Sequence, residues 1–114
     1  MKHHIFYTLL LTTFLVSTAN AQLQERTIDE IKIESIERAK RGAYPLGGLD
    51  VKDVEQALSF IQSRDRDEWA KGWGKVAQSY MDQASQARST KDAAAAYKKA
   101  WRLYYFAQWP VPNS

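Results

Sequence analysis

Between residues 69 and 87 the apolar side chains return every third or fourth position: Trp69, Trp73, Val76, Ala77, Tyr80, Ala84 and Ala87. This is the period of an α-helix that buries one face. No part of the chain alternates with the period of two that a half-buried strand needs. An all-α fold is therefore expected, and the flanking segments fit it. Thr27-Ile28-Asp29-Glu30 has the form of a capping box, in which Thr27 and Glu30 reciprocally satisfy free amides. It opens a first helix that ends near Arg41, with Ile28, Ile31, Ile36 and Ala39 on one broad apolar side. Residues 42–49 (GAYPLGGL) form the longest loop, because Pro45, Gly47 and Gly48 forbid continuation. Asp50 is placed to cap a second helix carrying Val51, Val54, Leu58 and Ile61 at helical spacing. The charged turn Ser63-Arg64-Asp65-Arg66 leads into the third helix, whose positive end favours Asp65 and Asp67. Thr90 is placed to cap a fourth helix over residues 91–108, which Pro110 and Pro112 stop. The expected architecture is about four helices in an antiparallel bundle or hairpin arrangement.

Two features of this pattern point beyond local structure. Gly72 and Gly74 sit inside the third helix, each about 1 kcal/mol worse than alanine there; close approach of a neighbouring element explains such a pair more economically than chance. The fourth helix runs Trp101-Arg102-Leu103-Tyr104-Tyr105-Phe106-Ala107-Gln108-Trp109, with large apolar side chains pointing in nearly every direction. A helix apolar all round is normally buried on all sides, and three short helices can cover only part of it. Trp69, Trp73, Trp101, Tyr104, Tyr105, Phe106 and Trp109 are accordingly the candidate packing or partner surface.

The N-terminus carries a different signal. Lys2 lies in a short basic region, residues 5–16 are apolar but for three threonines, and Ser17-Thr18-Ala19-Asn20-Ala21 supplies small residues in an Ala-x-Ala arrangement. This is the form of a cleavable signal peptide over residues 1–21, with Ala19 and Ala21 satisfying the peptidase and Gln22 becoming the first mature residue. Twelve helical residues reach about 18 Å against a hydrocarbon core of about 30 Å, so no stable membrane span is expected. The product, one helical domain over residues 22–114, is expected to be exported to the periplasm or the extracellular space.

Processing would also remove both histidines, His3 and His4, and the chain has no cysteine. That excludes a Ser-His-Asp triad, a Cys-His nucleophile, His or Cys metal sites and disulfides from the mature product, and no cofactor is expected. Lys71, Lys75, Lys91, Lys98 and Lys99 fall on helix faces expected to be solvated, where a protonated ammonium is a poor base. Neither Asp65, Asp67 and Glu68 nor Asp29, Glu30, Glu34 and Glu37 read as the pair of a glycosidase: the latter four form a solvated face, and Asp65 and Asp67 are first-turn acids. Gly47-Gly48 superficially suggests an oxyanion loop, but no strand precedes it and no serine lies in a Gly-x-Ser-x-Gly elbow. A formal net charge of +3 is too small to indicate nucleic-acid binding. Trp73, Val76, Ala77 and Tyr80 match the opening of a tetratricopeptide helix pair, but no second copy exists, and such repeats need about three stacked units.

Asp67-Glu68-Trp69 with Trp73, the alanine-rich stretch from Asp92 to Tyr105, and above all Phe106-Ala107-Gln108-Trp109-Pro110-Val111-Pro112-Asn113-Ser114 resemble the N-terminal helical region of certain α/β-hydrolases. These are esterases similar to the fermentation–respiration switch protein and to 2,6-dihydroxypseudooxynicotine hydrolase. Tyr44-Pro45 and the helix after Asp50 occupy the corresponding order. The resemblance implies a helical segment that packs on a hydrolase core and helps wall its substrate pocket, with a Ser-Asp-His set on an α/β sheet C-terminal to it. No member of that set maps onto this sequence. The expectation is an exported helical segment, not catalytic by itself, cut off before its core. The alternative is a complete small helical binding module that docks another protein through its aromatic last helix.

Overall fold

The computed structural model describes residues 25–108, and the signal-like segment and Trp109 lie outside them. Four helices follow one another: α1 (Ile28–Arg41), α2 (Val51–Ser59), α3 (Arg66–Ser85) and α4 (Thr90–Ala107), with no strand among the described residues. The all-α expectation is met.

Each helix begins where a short polar side chain can accept a free amide, although not always the expected one. Thr27 Oγ1 accepts from the Glu30 amide at 3.1 Å. The return contact runs from the Thr27 hydroxyl to Glu30 Oε1, also at 3.1 Å, so the box closes through the hydroxyl rather than through the Thr27 amide. Asp65 caps α3 by accepting from the Glu68 amide at 2.9 Å. Ser89, not Thr90, caps α4, accepting from the Asp92 amide at 3.1 Å and moving Thr90 into the first turn. Asp50 stands at the start of α2 without a capping hydrogen bond, because its carboxylate pairs with Lys99 Nζ at 3.3 Å. Gly42 ends α1 in the left-handed region, at φ 65°, where its own amide and that of Ala43 return to Ala39 and Arg38.

The chain order fixes the packing. Trp73 meets Phe106, Gln78 meets Tyr104 and Tyr80 meets Lys99, so α3 and α4 run antiparallel. They form the long hairpin of the molecule, with α2 packed on α3 and α1 on α2. The core is centred on Trp69, Trp73, Val54, Ile61, Val76, Leu103 and Phe106, all buried. Ile61 belongs to it although α2 ends two residues earlier, at Ser59. Leu46 also reaches it from the 42–49 loop, giving that connection a buried anchor. Removing an aromatic side chain from such a centre costs about 3–5 kcal/mol.

The two helical glycines have different surroundings. A methyl group at Gly72 would stand 2.6 Å from Ile61 Cγ1 and 2.9 Å from the Ala57 carbonyl oxygen, so α3 and α2 touch there by virtue of the missing side chain. A methyl at Gly74 would meet none of the described residues within 4 Å. Close approach within the fold therefore accounts for Gly72 alone.

Candidate docking surfaces

The aromatic residues singled out in the sequence are divided between the interior and the surface. Trp69, Trp73 and Phe106 are buried together: the two indole rings are 5.6 Å apart, and Phe106 meets Trp73 edge-on at 4.5 Å. These contacts are worth about 0.5–1.5 kcal/mol per pair beyond the area removed from water. The indole N–H groups of Trp69 and Trp73 find no acceptor among the described residues. Tyr104 is half-buried and donates its hydroxyl to Gln78 Oε1 at 3.0 Å. Trp101 and Tyr105 point outward, 63% and 51% exposed, with their rings stacked 5.5 Å apart at 21°, and Tyr97 is 47% exposed on the same helix. Leu103, Phe106, Ala96 and Ala100 turn inward. The last helix is therefore amphipathic with a second, aromatic face, rather than apolar in every direction.

Gly74 lies on the wall of an open groove of about 940 Å³ between the start of α3 and the end of α4. Ala70 stands one turn before it, and Tyr104, Ala107 and Gln108 form the opposite side, with Asp65, Arg66 and Asp67 at one end. Three of these side chains are alanine or glycine, so the groove admits a close-packed backbone or side chain. The sequence offered one signal for it, the glycine that the helix does not use internally.

The titratable groups mostly hold elements together. Tyr80 of α3 donates its hydroxyl to Asp53 Oδ2 of α2 at 2.7 Å. Burial first, and the Asp53 carboxylate second, push its ionisation well above the usual tyrosine range. Lys99 pairs with Asp50 and lies over the Tyr80 ring, 5.3 Å from its centroid. Arg102 donates to the Gly48 carbonyl at 2.9 Å, tying α4 to the loop before α2. Glu68 accepts from the Gln62 amide, from the Ser63 amide at 3.2 Å and from the Ser63 hydroxyl at 2.7 Å. These bonds, the Gln62 amide foremost and the Ser63 hydroxyl next, hold its carboxyl below the usual glutamate value. Arg38 joins Glu34 at 3.0 Å to the Tyr44 carbonyl at 2.9 Å, bracing the loop after α1. Among the described residues no three His, Asp or Glu side chains are grouped to hold a metal ion.

Both concentrations of unusual surface are thus on the α3–α4 hairpin: a small-residue groove at its open end and an aromatic face along α4. No family model matches the chain, and no curated protein or solved structure is similar enough to count as a relative.

Proposed function

We propose that this chain is the exported, non-catalytic helical segment of a serine α/β-hydrolase, and that the groove at Gly74 is the seat for the hydrolase core. The single observation that carries the reading is the open space at Gly74. A glycine in the interior of a 20-residue helix costs about 1 kcal/mol, and its lack of a side chain serves no contact among the described residues. A packing partner that comes close to the α3 backbone makes use of it. The resemblance to the helical region of the α/β-hydrolases, strongest from Trp69 onward, supplies the identity of that partner. The groove also lies where α4 ends, so a core continuing the chain meets it without a long connection.

The test is to read the gene through the codon for Ser114 and to express both the 114-residue chain and the product extended by any downstream coding sequence. The longer product should contain strands and a Gly-x-Ser-x-Gly elbow and should hydrolyse a p-nitrophenyl ester, whereas the 114-residue chain should not. Gly74→Leu should lower the activity and stability of the longer product while leaving the 114-residue chain folded. Turnover by the 114-residue chain, abolished by one serine substitution, overturns the proposal. So does a longer product indifferent to Gly74→Leu.

A further inference from the structure

The aromatic face of α4 is made of residues other than those that line the groove, and it has its own chemistry. At 100° per residue, Lys91, Ala94, Tyr97, Lys98, Trp101 and Tyr105 fall within one third of the helix circumference, opposite the inward row of Ala96, Ala100 and Leu103. All six are exposed. The face therefore combines three aromatic rings with polar tips, two lysines and no carboxylate, along a helix about 27 Å long.

We infer that this face binds the surface of a bilayer containing anionic lipid, with α4 lying parallel to the membrane plane. Tryptophan and tyrosine settle at the headgroup level, where the ring is partly desolvated and the N–H or O–H stays wet. Lysines beside them extend their ammonium groups to lipid phosphates while their stems stay in the apolar layer. The positive charge of the face, unbalanced by any acid on it, selects anionic headgroups. Among the described residues no helix is long and apolar enough to cross a membrane, so α4 lies on the bilayer rather than through it. The composition argues against the two other occupants of an aromatic surface. Protein interfaces are enriched in arginine and depleted in lysine, the reverse of this face. Single-stranded nucleic acid needs ring faces open for stacking and a longer cationic track, whereas Trp101 and Tyr105 close one ring face on each other and only two cations accompany them.

The experiment uses the full chain and vesicles of brominated phosphatidylcholine with and without brominated phosphatidylglycerol. In a Trp109→Phe background, the expected result is tryptophan quenching that requires phosphatidylglycerol and falls when Trp101→Phe is added, since Trp69 and Trp73 are buried. Because quenching is read at Trp101 itself, membrane attachment through residues 1–21 does not imitate it. Lys91→Gln and Lys98→Gln should each weaken the phosphatidylglycerol-dependent quenching roughly fivefold. Identical quenching with and without Trp101→Phe in that background overturns the inference, as does quenching indifferent to phosphatidylglycerol. Quenching of Trp101 by a single-stranded oligonucleotide, with none by vesicles, reassigns the face and also overturns it. Circular dichroism of Trp101→Phe confirms that the comparison is between folded proteins. None of these results depends on whether a hydrolase core occupies the groove.

Discussion

Gly72→Ala and Gly74→Ala make the same chemical change two residues apart on one helix, and the packing predicts effects of opposite sign. At Gly74 the new methyl enters open space, so the variant gains only the helix preference of alanine, about 1 kcal/mol. For a domain of this size that is a rise of roughly 4–8 °C in Tm. At Gly72 the same gain is set against a methyl 2.6 and 2.8 Å from two Ile61 side-chain atoms and 2.9 Å from the Ala57 carbonyl. Ile61 is buried and the carbonyl belongs to α2, so relief requires moving α2 away from α3. Overpacking of this kind costs about 1–3 kcal/mol. A backbone carbonyl and a fully buried side chain both in the way place Gly72 toward the upper end, for a net loss of about 1–2 kcal/mol after the helix gain. Urea titration followed by circular dichroism should therefore show the two midpoints displaced to opposite sides of wild type, with unchanged slopes. If Gly74→Ala destabilises the 114-residue chain as Gly72→Ala does, the groove at Gly74 is filled in solution and the opposite signs are refuted. In a protein whose hydrolase core occupies the groove, the sign at Gly74 should reverse.

Tyr80→Phe should cost about 1–2 kcal/mol by removing a donor to the Asp53 carboxylate. With the Tyr80 ionisation raised, that bond's contribution is complete below roughly pH 10 and is lost only as the pH climbs above it, so thermal melts of the two proteins should differ equally across the neutral range. Glu68 has the opposite sign: its lowered ionisation adds stability that is complete above roughly pH 4.3 and lost as the pH falls through the folded value. The Tm difference between wild type and Glu68→Gln should therefore close on acidification. Mass spectrometry of the exported product should find Gln22 at its N-terminus, and recovery of an intact Met1 form from a soluble cytosolic fraction would count against export.

The helices were legible because their signals are local. The stripe from Trp69 to Ala84 is buried or half-buried as its spacing requires, and Gly42 ends α1 where a left-handed residue is needed. The departures come from long-range competition. Asp50 is a good cap by type, but Lys99, forty-nine residues away in sequence, takes its carboxylate. Ser89 and Thr90 are both capping residues, and one residue of difference at α4 lies below what adjacent hydroxyls can decide. Leu46 is a core residue outside any helix, held by tertiary packing that periodicity cannot register, whereas Ile61 keeps the core place its spacing predicts although α2 ends at Ser59. Ser35 shows the same limit: it is buried on the apolar side of α1 because its hydroxyl donates to the Ile31 carbonyl at 2.8 Å.

The candidate surfaces were legible only as residue types, since which aromatic faces inward depends on where the neighbouring helix lies. Trp73 and Trp101 are the same residue in similarly apolar surroundings along the chain, yet one is at the centre of the core and the other is exposed. What separates them is the hairpin: α3 covers the row of Ala96, Ala100, Leu103 and Phe106, which leaves Tyr97, Trp101 and Tyr105 on the far side of the same helix. Small residues where α4 meets α3 bring the two helices close, and the rings that would hinder that approach are turned outward. The inner row therefore determines the outer one. A substitution that enlarges Ala96 or Ala100 should separate the helices and disturb the outer face at a distance, whereas substitutions of Trp101 should leave the core intact. Stability and surface chemistry on α4 can thus be varied independently in one direction only, from the outside.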